Sequence, residues 1–212
     1  MPTSSTLLLF SAAALALLVV PGPSVLYIVG QGLRDGRRAG AVATLGVHTG
    51  SLVHVAAAVA GLSALLASSA DAFSMVRIVG AAYLIVLGIR MVASGASGQI
   101  RAAAPAGLRR VYLRGALVNT LNPKTALFFM AFLPQFVDPR RGHVPEQVAA
   151  LGLTFILLGL VSDSTWAMLA GTLGPRLRAG GRLVRWQPRV SGCLFIGLGL
   201  AAADTAGPSS QG

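Results

Sequence analysis

Charge is scarce in this chain, and acidic charge scarcest of all. Only 11% of the 212 residues are charged and just 6 are Asp or Glu, whereas an ordinary soluble domain carries about 25% charged residues. So little charge excludes a water-facing surface. With 54% apolar residues and a positive mean hydropathy, the composition is that of an integral membrane protein. Cysteine is nearly absent too: Cys193 alone excludes an internal disulfide, a CxxC redox pair and a zinc quartet. His48 and His54 have no third ligand in view, so no metal site is expected, and Gly30-Gln31-Gly32 lacks the third glycine of a dinucleotide fingerprint. Met1 to Thr6 contains no Lys or Arg. A secretory signal begins with a positive segment, so the first apolar run is expected to remain as a span.

What is present is a series of apolar runs. A hydrocarbon core of about 30 Å needs about 20 residues of helix, and six stretches qualify, near residues 6–31, 41–67, 72–93, 113–137, 147–172 and 190–205, the last being the shortest. The formal charge of +11 would suggest nucleic acid in a soluble protein. Here the arginines fall between spans and report topology instead, so no nucleic-acid partner is expected. Assigning each basic residue to its nearer side puts 13 opposite the N terminus and 3 beside it, with Lys124 left inside the membrane. Basic residues gather on the cytoplasmic side of short loops, so both termini are expected outside the cytoplasm. The turn Gly32 to Gly40, with Arg34, Arg37 and Arg38, reads as topology-setting contact with acidic lipid heads.

Two spans contain helix breakers. Span four carries Asn122-Pro123-Lys124 and span one carries Pro21-Gly22-Pro23-Ser24. A proline inside a helix costs about 3 kcal/mol, and a lysine at the bilayer centre adds about 2.5 to 3.5 kcal/mol. Residues 94–112, rich in Gly, Ala, Ser and Arg, divide the chain into a first three-span unit (1–93) and a second (113–206), with a short disordered tail at 207–212. Each unit opens with a proline-broken span. Because three is odd, the units enter the membrane from opposite sides, the pattern of an inverted repeat whose interrupted helices mark a midplane binding site. The fold expected is an all-α polytopic membrane protein of six helices in two inverted three-helix repeats. The helical segments that begin after the breaks then point their free N–H groups inward. Each such end is worth about half a unit charge and suits a carboxylate, and Lys124 strengthens that field.

On span two, Gly46, Gly50, His54 and Gly61 share one stripe, which reads as helix packing. His54 there faces protein, either bonded to a neighbour or positioned for proton transfer. His48 points to a different face and reads as a structural or vestibule residue. Asp163 lies at mid-depth in span five on a stripe with Gly152, Gly159 and Ala167. A carboxylate at that depth must be paired, protonated or solvated by a cavity. Lys124 is its first candidate partner, with Asn119 or Asn122 as hydrogen-bonding alternatives.

These motifs, in order, resemble the LysE/RhtB family of amino-acid exporters: PGPSVLYIVGQGLRDGRRAGAVATLGVHTGSLVH, GLSALL, GAAYLIVLGIR, NTLNPKTALFFMAFLPQF and, more weakly, SDSTWAMLAG. The resemblance implies a multi-pass protein of the bacterial inner membrane, not an enzyme. It would export small amino acids or derivatives by proton antiport, with amino-acid substrate, protons and membrane lipids as partners, a homodimer as a further expectation and no cofactor. By motif match, Pro21, Gly22, Pro23, Asn122, Pro123 and Lys124 take the family's two membrane-interrupting motifs. With Ser24 and Asn119 they form the candidate substrate-binding set, and Asp163 and His54 are the proton-coupling candidates. The position after PGP, often acidic or amide-bearing in relatives, is Ser24 here, which weakens the case for a lysine-like cationic substrate. The alternatives are a passive channel for small solutes and an intramembrane enzyme using His48, His54 and Asp163. The last needs two histidines that differ in helical phase by about 120° to converge.

Overall fold

A computed structural model describes residues 1–68, 107–177 and the helical positions 75, 78, 79, 81–83, 85, 86, 89, 90, 92, 93, 193, 196, 197, 199, 200 and 203. Of the expected spans three and six only these scattered helical positions are described, and most of the linker and all of the tail lie outside the described residues. All regular structure among the described residues is helical, as expected for an all-α membrane protein.

Helix α1, Ser4–Val19, starts at Thr3, whose hydroxyl accepts the Thr6 N–H at 3.1 Å, a side-chain N-cap. It stops where the chain reads Val20-Pro21-Gly22-Pro23. A residue before proline is pushed out of the α region, and Val20 is accordingly extended (φ −74°, ψ 116°). Helix α2, Pro23–Ser68, then begins with proline in its first turn, where the missing N–H does no harm. Span one is therefore broken at its prolines.

Within α2 only Gly36 leaves the helical region (φ 80°, ψ −176°), a conformation suited to glycine. The chain doubles back there: Gly32 and Gly40 both lie against Ala167, and Ser24 and Ser51 both bond Asn119. The turn read over Gly32 to Gly40 is thus a single-residue bend between two helical arms, residues 23–35 and 37–68.

Helix α3, Leu108–Thr120, begins inside the stretch read as a linker, five residues before the expected start of span four. It ends at Leu121, and α4, Pro123–Leu127, restarts after Asn122. A π turn (Phe128–Phe132) and a 3-10 turn (Leu133–Phe136) carry the span onward. After a loop closed by Gln147, whose side chain bonds both the N–H and the C=O of Asp138, α5 runs from Val144 to Leu177.

Contacts give the directions. Gly46 meets Tyr112 and Gly50 meets Ala116, so the second arm of α2 runs parallel to α3. Val55 meets Gly152, His48 meets Gly159 and Arg37 meets Gly171, so the same arm runs antiparallel to α5. The expected glycine stripe is a packing surface at Gly46 and Gly50, where an added Cβ would strike the α3 backbone. It is not one at Gly61, which has nothing within 4 Å among the described residues.

Large apolar side chains cover the outer surface, including Leu8, Leu117, Met130, Leu157 and Val161, all more than half exposed. So much exposed apolar area suits lipid rather than water. Two helices among the described residues, over Pro23–Ala64 and Val144–Thr172, are long and apolar enough to cross a membrane, the first being the two-armed α2.

Candidate functional site

The two breaks meet. Ser24 Oγ, in the first turn after the proline motif, donates to Asn119 Oδ1 at 2.8 Å and accepts from Asn122 Nδ2 at 2.8 Å. Asn119 also donates to Ser51 Oγ at 2.8 Å and accepts from Thr125 Oγ1 at 3.1 Å. All five side chains are buried. Each has a partner, as buried polar groups require.

Each break leaves a carbonyl without its helical donor, because a proline four residues on has no N–H. For Pro21 that carbonyl belongs to Leu17. It accepts from Lys124 Nζ at 2.7 Å, and Val20 C=O accepts from the same nitrogen at 2.6 Å. Lys124 therefore caps the C-terminal end of α1, the end where a cation is favoured. Gly22 makes room for it, since a Cβ there would stand 3.0 Å from Lys124 Cδ.

For Pro123 the orphaned carbonyl belongs to Asn119. It accepts the Asn122 N–H at 3.0 Å and His54 Nε2 at 2.9 Å. A carbonyl only accepts, so Nε2 carries the proton. The His54 ring also stacks on Phe129, with centroids 6.0 Å apart. Asn122 closes the second break by accepting the Lys124 N–H on Oδ1 at 3.0 Å, an N-cap with Pro123 just inside.

Between the breaks lies a cavity of about 30 Å³ lined by Ser24, His48, Ser51, Asn119, Asn122, Lys124, Thr125 and Asp163, with apolar walls from Leu17, Val25, Val47 and Phe155. That volume holds a water molecule or two, against roughly 300 to 1,000 Å³ for a site that encloses a small-molecule ligand. The space between the breaks is small in this conformation.

On the α5 side, Asp163 Oδ2 stands 3.1 Å from His48 Nε2, with the two residues only 3% and 5% exposed. The contact has ion-pair distance but not hydrogen-bond geometry: both His48 ring nitrogens and Asp163 Oδ1 are buried without a hydrogen-bond partner. The ring occupies the space above Gly159, where a Cβ would collide with it. Among the described residues Asp163 makes its ion-pair contact with His48, not with Lys124, because Lys124 turns toward the end of α1.

The structure thus gathers Gly22, Ser24, Asn119, Asn122, Lys124 and Asp163 around one cavity, while His54 serves the Asn119 carbonyl. Sequence reasoning passed over Ser51 and Thr125 and placed His48 at a distance. A signal existed in Thr44, His48 and Ser51, polar residues spaced four and three apart and all buried on one face of α2.

A family model described as LysE type translocator matches residues 15–204. The chain is 30% identical over 203 residues to an uncharacterized membrane protein of Vibrio cholerae, covering 92% of this chain and 95% of that one. It is 29% identical over 185 residues to a homoserine/homoserine lactone efflux protein of Salmonella typhi, covering 87% and 89%. An uncharacterized membrane protein of Bacillus subtilis is 29% identical over 166 residues, covering 74% and 79%. No solved structure matches.

Proposed function

Because the chain belongs to the LysE type translocator family and is a membrane transport protein, we propose that it exports small neutral amino acids or their derivatives from the cytoplasm by proton antiport and alternating access. The observation that carries this reading is the joining of the two broken helices through Ser24, Asn119 and Asn122 around one small cavity that polar side chains line. A carrier that rocks needs such a site at the meeting of two repeats. A passive pore needs a continuous path, which a cavity of about 30 Å³ does not offer.

The cavity suits a zwitterion. The substrate carboxylate would meet the hydroxyl and amide donors and the N-terminal ends of α2 and α4, and the substrate ammonium would meet Asp163. Lys124 spends two of its three donors on α1, so its charge reaches the cavity while its geometry holds the broken helix. The hydroxyls of Ser24, Ser51 and Thr125 favour a polar neutral side chain. Homoserine, named for the Salmonella relative, is of that class. The antiparallel course of the α2 second arm and α5 supports two three-helix repeats of opposite orientation, and the gathering of basic residues opposite the N terminus supports both termini on the outer side of the inner membrane.

The test is uptake into inside-out vesicles under an imposed pH gradient, with a panel of labelled amino acids. Homoserine and other small neutral amino acids should accumulate above the outside level, lysine should not, and an uncoupler should abolish the accumulation. Equilibration without accumulation would establish the channel instead.

A further inference from the structure

We propose that His48 and Asp163 form one proton-carrying pair in which the substrate's ammonium and the transported proton compete for a single carboxylate. The inference rests on the exporter reading and deepens it, for it assigns coupling to His48 in place of His54.

Two observations point to it. The pair lines the cavity between the broken helices, so whatever binds there meets it. It is also the one place in that cavity, among the described residues, where buried polar atoms lack partners: His48 Nδ1 and Nε2 and Asp163 Oδ1. Every neighbouring side chain of the site is satisfied, through Ser24, Ser51, Asn119, Asn122, Thr125 and Lys124. A buried polar atom without a partner is costly. An imidazole and a carboxylate that approach to 3.1 Å at Nε2 and Oδ2, with Asp163 Oδ1 and both ring nitrogens left without hydrogen-bond partners beside a cavity, are suited to taking up a proton or a cation.

Among the described residues the surroundings leave little else to do this work. On α5 no other ionisable residue occurs between Glu146 and Arg176. On the second arm of α2, Arg37 packs at the bend against Gly171, Arg38 is exposed beside it, and His54 faces Asn119 and Phe129. The first arm presents Tyr27, which is bonded to the Val111 carbonyl, and Arg34 at the bend, bonded to Asp35. Helix α3 presents Tyr112, bonded to Thr49, and the exposed Arg109, Arg110 and Arg114. Helix α1 contributes no ionisable side chain. That leaves Lys124 as the pair's charged neighbour, held on Leu17 and Val20.

The charge balance defines the step. Without a proton, neutral imidazole and carboxylate together carry one negative charge, which Asp163 Oδ1 offers to a substrate ammonium. A proton bound at the pair, shared between Nε2 and Oδ2, cancels that charge and releases the ammonium. One cation leaves as the other arrives, so one proton moves inward for each zwitterion moved out, and no bond to the substrate forms or breaks.

The test uses the purified full-length protein in proteoliposomes, with homoserine and a panel of small neutral amino acids as probes. Two quantities are measured for each variant: accumulation driven by a pH gradient, and exchange of labelled for unlabelled substrate with no gradient. For His48→Gln and for Asp163→Asn the ratio of driven accumulation to exchange should fall at least tenfold. The double variant should match Asp163→Asn within twofold, because the residues act as one unit. His54→Gln should keep the wild-type ratio within twofold. A wild-type ratio in His48→Gln, or a lost ratio in His54→Gln alone, overturns the assignment. A second measurement needs no variant: adding homoserine to the wild-type protein in weakly buffered detergent should release about one proton per substrate bound, as read by a pH dye, and binding with no proton release also overturns it. Wild-type vesicles that move none of the panel would instead bring down the exporter reading, and this assignment with it.

Discussion

The two sides of the cavity are built from different materials. Toward the N terminus of α1, six phenylalanines interlock: Phe10 with Phe128 and Phe136, Phe128 with Phe129, Phe132 and Phe155, at centroid separations of 4.8 to 6.0 Å. Toward the Gly36 bend there is no such cluster among the described residues. Gly32, Gly40 and Gly171 bring α2 and α5 into contact through Ala167, Ala170 and Arg37. Rings lock through shape and edge-to-face geometry, whereas small residues let helix backbones approach and slide. The aromatic side is a plug, and the small-residue side is a seam. The π turn at Phe128–Phe132 belongs to the plug, and such turns concentrate at functional sites.

The strongest way to break this comparison is at the boundary between the two sides, where Lys124 holds the broken end of α1. Lys124→Met removes both donors from the Leu17 and Val20 carbonyls. Efflux should be abolished, and stability should fall by about 2 to 4 kcal/mol, seen as a lower melting temperature in detergent with membrane insertion retained. Normal efflux from this variant would remove Lys124 from the mechanism.

Next in size is the plug. Phe128 is fully buried and touches four other rings. In lipid the transfer of apolar surface from water contributes little, so the cavity part of the usual Phe→Ala cost remains, about 2 to 3 kcal/mol. Phe128→Ala should also raise substrate leak in the absence of a pH gradient, measured as passive efflux from loaded vesicles. A smaller effect is expected where α2 meets α3. Gly46→Ala would drive its methyl into the Tyr112 carbonyl, costing about 1 to 3 kcal/mol of overpacking. It should slow transport without the leak of Phe128→Ala, and equal leak from the two variants would erase the distinction between plug and packing surface.

Much of this architecture was legible in the sequence. Proline forbids a local hydrogen bond wherever it sits, so the breaks at Pro21-Gly22-Pro23 and Asn122-Pro123 followed from the residues themselves. So did the close packing at Gly46 and Gly50, where spacing places small side chains on one face. What could not be read were relations across segments. That Lys124 serves the carbonyl freed by Pro21 depends on which broken end lies beside which. The two histidines differ in helical phase, and phase alone does not say which face meets α5. His48 meets it, and His54 meets α3. The Gly36 bend was narrower than its glycine-flanked surroundings suggested, because one residue at positive φ reverses the chain.

The smallest effect concerns the second break, and it tests whether the two caps are equivalent. Lys124 serves Leu17, whose helical donor would have been Pro21, and among the described residues no second side-chain donor to that carbonyl is seen. His54 serves Asn119, whose carbonyl also accepts the Asn122 N–H. Losing His54 therefore leaves that carbonyl half satisfied rather than bare. His54→Phe keeps the ring that stacks on Phe129 and removes only the hydrogen bond. Its cost should be about 1 kcal/mol, a typical net hydrogen bond, read as a small drop in melting temperature. A loss as large as that of Lys124→Met would mean that the Asn122 N–H does not hold the second break, and that the two helix interruptions are closed by side chains of equal weight.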